Sequence, residues 1–192
     1  MYKLKNNTLK KKYTIKVPKN IKLIYCSKKD VLIFFSLLQK KIFSLKVKLL
    51  IIPQGNSIVV TDFLSGNSYK NSKKIQGTTV ALLKQCLVEI SYVLYLKLNL
   101  IGVGYRVFLY EEKKNQIYFK LGYSHLIYFK IPENLNVSCL KAAKVFLYGN
   151  VSYNVLTQTG SLIRACKMPE VYKGKGILYD QEKISIKRGK KI

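Results

Sequence analysis

One short pattern occurs twice in the chain: apolar, Pro, any residue, Asn, apolar, any residue, apolar. Val17-Pro18-Lys19-Asn20-Ile21-Lys22-Leu23 carries it first, and Ile131-Pro132-Glu133-Asn134-Leu135-Asn136-Val137 repeats it 114 residues later. At the same offset Val31-Leu32-Ile33-Phe34 falls on Val145-Phe146-Leu147-Tyr148, an apolar β-type run in both copies. Proline fixes φ and lacks an N–H, so it opens a turn more readily than it sits inside a paired strand. The apolar residues that follow recur at every second position, at Ile21, Leu23 and Tyr25 and again at Leu135 and Val137, on one face of a strand. Each copy reads as a turn, an alternating strand, a polar link and a buried strand. A chain of 192 residues with this unit twice is expected to form two similar small domains, each near the lower size for a self-sufficient core.

The remaining segments fill in an α+β pattern. Strand-like runs cover Ile42 to Ile52 and Ser57 to Phe63, and Pro53-Gln54-Gly55-Asn56 supplies a hairpin turn between them. From Gln76 to Tyr92 the apolar residues Val80, Leu83, Leu87 and Ile90 recur every three or four positions, one face of a helix. Two further β-rich runs, Leu96 to Tyr110 and Gln116 to Leu121, flank Glu111-Glu112-Lys113-Lys114-Asn115 as a hairpin with a charged tip. Gly149-Asn150 breaks the next strand, and a helix is expected between Val151 and Lys167, weakened by Gly160 by up to about 1 kcal/mol. Pro169 ends it. The expected organisation is a basic arm over 1–12, α+β domains over 13–93 and 94–168, each a mainly antiparallel sheet packed with a helix, and an extended, solvent-facing tail over 169–192.

Charge narrows the function. With 35 basic and 9 acidic residues the net charge is +26, which calls for a polyanionic partner, and nucleic acid leads. Only Arg106, Arg164 and Arg188 are arginines, and the Lys, Ile, Leu, Asn and Tyr bias suits AT-rich coding. That bias accounts for part of the lysine excess but not for the shortage of acids. Cys26, Cys86, Cys139 and Cys166 form no CxxC pair and meet a single histidine, so no metal set is expected and the thiols read as reduced. Apolar runs are cut by Lys40 and Lys41 and by Glu89 before they reach membrane-spanning length. The N-terminal MYKLKNNTLKKKY lacks the arginines and apolar core of a targeting peptide and reads as an arm, against phosphates or in solvent.

Few residues invite chemistry. Gly102-Val103-Gly104 lacks the third glycine and the following helix of a dinucleotide loop, so a bulge or close backbone approach is expected there. Ser124 and His125 are neighbours, which on a strand point to opposite faces and make poor nucleophile and base. The segment Lys167-Met168-Pro169-Glu170-Val171-Tyr172-Lys173-Gly174-Lys175-Gly176-Ile177-Leu178-Tyr179 differs: glycines allow close backbone approach to phosphate, lysines neutralise it, and Tyr172 and Tyr179 can stack on bases. A flexible basic tail is the plainer alternative. Lys187-Arg188-Gly189-Lys190-Lys191-Ile192 adds charge without an apolar anchor, so order is expected only against RNA.

Three stretches, in order and spacing, resemble the bacterial-type ribosomal protein L-six family: Leu100-Ile101-Gly102-Val103-Gly104-Tyr105-Arg106, Leu121-Gly122-Tyr123-Ser124-His125, and Pro169-Glu170-Val171-Tyr172-Lys173-Gly174-Lys175-Gly176-Ile177. In the first half, Gly77-Thr78-Thr79-Val80-Ala81-Leu82-Leu83 is the best anchor. The resemblance implies two similar α+β domains and a structural role without catalysis or cofactor. It also implies binding to large-subunit rRNA near the factor-binding region and sarcin-ricin loop, beside other large-subunit proteins, with no small-molecule substrate, membrane or homo-oligomer. RNA contact carries over to Tyr172, Lys173, Gly174, Lys175 and Gly176, and more weakly to Arg106, Ser124 and His125. Arg164, Lys167, Tyr179, Lys187, Arg188, Lys190 and Lys191 complete the expected rRNA-binding set. Met168 and Val171 replace family prolines and are expected to loosen the extended path; Leu178 replaces an arginine and removes a phosphate contact. Composition and the absence of a transit peptide point to an organelle-encoded member, mitochondrial ahead of plastid or low-GC bacterial. A free-standing basic nucleic-acid binder is the runner-up, followed by a membrane-surface protein and then an enzyme.

Overall fold

The computed structural model describes residues 13–37, 39–52, 56–64, 72–110 and 115–189, and the chain divides into two compact units at Tyr92/Val93. The first contains β1 (Thr14–Lys16), β2 (Lys22–Cys26), β3 (Val31–Phe35), β4 (Lys40–Ser44), β5 (Val47–Ile52), β6 (Ser57–Leu64) and α1 (Ser72–Ser91). Its strands form two antiparallel sheets, β1-β6-β5 and β2-β3-β4. Leu32, Phe34, Ile58 and Val60 from the sheets meet Val80, Leu83, Leu87 and Ile90 from one face of α1. The buried Gln76 side chain donates to the Val60 carbonyl at 2.8 Å, which ties the first turns of the helix to β6.

The second unit contains β7 (Leu94–Ile101), β8 (Arg106–Leu109), β9 (Gln116–Lys120), β10 (Ile127–Lys130), β11 (Asn136–Leu140), β12 (Lys144–Gly149), α2 (Tyr153–Ala165) and β13 (Gly176–Tyr179). Its sheets are β10-β9-β8 and β11-β12-β7-β13, all antiparallel pairs. The class is α+β in both units, but the single sheet expected in each is split in two. Leu96 to Tyr110 breaks at Gly102 into β7 and β8, which join different sheets, and Ile42 to Ile52 likewise breaks into β4 and β5.

The repeat is visible as one shared hydrogen bond. Ile21 N–H donates to the Pro18 carbonyl at 3.1 Å, and Leu135 N–H to the Pro132 carbonyl at 3.0 Å. An antiparallel hairpin follows in each unit, β2–β3 and β11–β12. The second strands, however, correspond one residue away from the sequence offset: Leu23 faces Phe34, whereas Val137 faces Leu147. The buried pairs are therefore Leu32 with Val145 and Phe34 with Leu147. The link is one residue shorter in the second unit, and a one-residue slip would turn every core side chain outward. Chain order also differs: β3 is flanked by β4, which follows it, while β12 is flanked by β7, which precedes it.

The segment after Pro169 is not extended and solvent-facing throughout. β13 pairs with β7, with Ile177 opposite Leu100 and Leu178 opposite Asn99, and both Ile177 and Leu178 are buried. Leu178 therefore occupies a packed site where a charged side chain would be costly. Gly160, the flaw expected in α2, is what lets that helix approach β7: a Cβ there would stand 2.1 Å from Leu96 Cδ2. Burial pushes the Cys86 and Cys139 thiols up to about 11, so both are protonated at neutral pH. No helix among the described residues is long and apolar enough to cross a membrane.

Candidate nucleic-acid interface

The three family-like stretches all contribute to one cleft, which Tyr105 lines. β7 ends at Ile101, and Gly102-Val103-Gly104 turns the chain, with Gly104 at φ +75°. A Cβ on Gly102 would stand 2.6 Å from Tyr105 Cδ2, and one on Gly122 would stand 3.2 Å from Tyr105 Cε1. Both glycines are thus occupied by one aromatic ring. The Gly102–Gly104 pair makes a turn and a close approach, not a bulge within a strand.

From Gly122, itself at φ +74°, the chain leaves β9 as an exposed loop. The Tyr123 and His125 rings stack at 5.8 Å and 18°. The Tyr123 hydroxyl donates to the Cys166 carbonyl at 3.3 Å, and the Lys167 ammonium lies 4.0 Å over the Tyr123 ring. A polar loop is thereby fastened to the C-terminal end of α2.

The third stretch is a closed loop. Glu170 N–H donates to the Lys175 carbonyl and Gly174 N–H to the Glu170 carbonyl, both at 2.9 Å, with Gly174 at φ +66°. Ile177 N–H donates to the Lys167 carbonyl and Lys187 N–H to the Val171 carbonyl, both at 3.0 Å. These bonds hold the loop without proline at Met168 and Val171, and they order Lys187 within the protein itself. Tyr105, Tyr123, Lys167, Met168, Glu170 and Lys175 line an open cleft of about 490 Å³ between the three stretches.

The expected site residues separate into three groups. Lys167 and Lys175 line the cleft, Tyr172 and Lys173 are exposed on its rim loop with Gly174, and Ser124 and His125 are exposed beside it. Arg106 is exposed at the start of β8, immediately after Tyr105, and Lys187 and Arg188 are exposed beyond the loop. Gly176, Arg164 and Tyr179 serve packing. Gly176 is buried against Pro169. Arg164 makes a two-pronged ion pair with Glu182, at 2.5 and 3.2 Å, and lies 5.7 Å over the Tyr179 ring. Lys190 and Lys191 lie outside the described residues. Nothing in the sequence marks Tyr105, Tyr123 and Glu170 as a group; the two glycines that accommodate Tyr105 are the available signal.

The Arg164 guanidinium beside Glu182 holds that carboxyl below its usual range, so the pair stabilises the fold above the unfolded carboxyl value of about 4.3. That stabilisation is lost as pH falls through the depressed folded value. Because both side chains are partly solvated, its size is expected to be at most about 1 kcal/mol. Thermal midpoints of the parent and Glu182→Gln should differ at pH 7 and converge on acidification; a gap that persists through strong acid would show the carboxylate is not its source.

A family model described as Ribosomal protein L6 matches residues 101–180, the stretch that holds the whole cleft. The large ribosomal subunit protein uL6 of Malacoplasma penetrans is 36% identical over 143 residues, 74% of this chain and 74% of the relative. The chain belongs to the ribosomal protein L6 family. The uL6 of Mesoplasma florum is 39% identical over 124 residues, 65% of this chain and 67% of its own length. That of Chloroherpeton thalassium is 34% identical over 136 residues, 71% and 72% of the two chains. All three are bacterial proteins, so they bear on the family and not on the compartment. The glycines at 102 and 122 have a packing role here, through Tyr105.

Proposed function

We propose that the chain is a structural constituent of the large ribosomal subunit and binds large-subunit rRNA through the cleft and its rim loop. The observation that supports this most is one cleft in which Lys167 and Lys175 of a closed loop stand beside Tyr105 and Tyr123 from two sequence-distant stretches, with Lys173 and Tyr172 exposed on its rim. Ammonium groups on a fixed loop neutralise phosphates, and exposed Tyr172 and His125 rings offer stacking surfaces to bases. The role is architectural, and no reaction is assigned. The family resemblance supports a location near the factor-binding region and sarcin-ricin loop, and the lysine-rich, arginine-poor composition supports an organellar, mitochondrial ribosome.

Changing Lys173 and Lys175 together to Ala should weaken binding to purified large-subunit rRNA while leaving the melting temperature near that of the parent. The slope of log affinity against log salt should fall by about 0.9 for each lost phosphate contact. An unchanged slope removes both residues from the interface. Sedimentation of the native protein with and without RNase, with crosslink mapping from Tyr172 to Tyr179, tests the wider reading. Co-migration with large subunits supports it; a protein that stays at the top of the gradient makes it a free-standing binder.

A further inference from the structure

We propose that the solvent face of the β10-β9-β8 sheet is a second nucleic-acid surface, a platform on which unpaired RNA bases stack. Strand alternation buries Val107, Ile117 and Phe119, so the intervening residues face outward. Phe108, Tyr118 and Tyr128 lie in register across the three strands. Their rings form a row: Phe108 and Tyr118 stack at 5.1 Å and 20°, and Tyr118 and Tyr128 lie 6.1 Å apart at 42°. The row ends in Tyr128, which is 64% exposed.

Cations border the row. Arg106 pairs with Lys120 one step along β8 and β9, and Lys130 lies beyond Tyr128 on β10. All three are exposed, none takes part in an ion pair among the described residues, and the described part of this face carries no carboxylate. The other sheet of the unit makes a useful contrast. It also presents an aromatic pair, Tyr95 and Phe146, but there Lys97 is 2.8 Å from Asp180 and its charge is already answered.

Cross-strand aromatic contacts stabilise a sheet by up to about 1 kcal/mol, which explains a ring pair but not an exposed third ring among unanswered cations. A partner that matches both features has flat apolar faces and repeated negative charge. Single-stranded RNA has both, whereas duplex RNA hides its base faces and an acidic protein surface would match only the cations. The inference rests on the reading of the chain as an RNA binder, and it is independent of the cleft.

The test uses the full chain, fluorescence anisotropy, a 12-nucleotide oligouridylate, a 12-base-pair RNA duplex and purified large-subunit rRNA. Oligouridylate should bind more tightly than the duplex. Tyr128→Ala should weaken it by about 5- to 150-fold, the range for loss of one stacked base, with duplex binding unchanged. Tyr128→Phe should retain affinity, and Tyr128→Leu, which keeps apolar bulk without a ring, should lose it. Arg106→Ala and Lys120→Ala should each lower the salt slope by about 0.7. Wild-type affinity for oligouridylate in folded Tyr128→Ala and Tyr128→Leu, or no preference for single strands, overturns the platform, whatever else that face then binds. If large-subunit rRNA is bound and oligouridylate is not, the platform alone falls; if neither is bound, the ribosomal reading falls with it.

Discussion

Gly176→Ala is expected to destabilise the second unit by about 3 kcal/mol, combining overpacking with backbone strain. A Cβ at Gly176 would stand 2.5 Å from Pro169 Cα and 2.7 Å from Pro169 N, contacts with backbone that no rotamer change relieves. Its φ of +154° disfavours a side chain in addition. To admit the methyl group, either the 168–175 loop lifts away or β13 slides on β7, and both movements strain the Ile177–Lys167 hydrogen bond. Gly174→Ala is the matched control. Gly174 is also at positive φ, +66°, but the nearest atom to its Cβ is 3.9 Å away, so only the left-handed backbone cost of about 1–2 kcal/mol applies. Urea denaturation should rank the two variants in that order, and hydrogen exchange should quicken at Ile177 to Tyr179 in Gly176→Ala first. Equal losses would mean that the close approach of Pro169 does not determine the loop's position.

That loop also shows where sequence reading stops. Alternating lysine and glycine suggested an extended chain because two adjacent apolar residues, Ile177 and Leu178, are too short a signal for a strand. β13 exists because β7 offers it an edge, a partner 75 to 81 residues upstream that no local pattern reveals. Arg164 reads as an RNA contact in the sequence because its acid, Glu182, lies 18 residues away and is brought back only by the β13 turn. Longer periodic signals fared better. The apolar face of α1 is buried as its spacing suggests, although the helix starts at Ser72, before the first periodic residue. The hairpin of Gln116 to Leu121 with the strand before it is present as β8–β9. The Pro-led turn recurs in both units, while the second strand of the hairpin slips by one residue because the link lengths differ. The three family-like strings of residues are legible in the sequence, but the cleft they line with Tyr105 depends on tertiary packing.

Lysines of the first unit were the least legible charges, since Lys40, Lys41, Lys46 and Lys48 fit RNA, protein or solvent equally well in the sequence. Lys41 has an acidic partner in the structure. It lies opposite Phe34 on β4, on the side of the strand that faces the core, and its ammonium meets the Glu89 carboxylate of α1. Glu89 is only 5% exposed; Gln85 also donates to it at 3.0 Å, and the Gln39 side chain donates to its backbone carbonyl. Lys41→Met should therefore cost about 3 kcal/mol or more, because it leaves a buried carboxylate without its cation. Restoring neutrality by adding Glu89→Met should recover most of that loss, since two apolar side chains of similar volume often replace a buried pair without net cost. A double-mutant cycle by urea denaturation reads the coupling directly. A single-variant loss under about 0.5 kcal/mol, the size typical of a surface substitution, would return Lys41 to the candidates for contact with RNA.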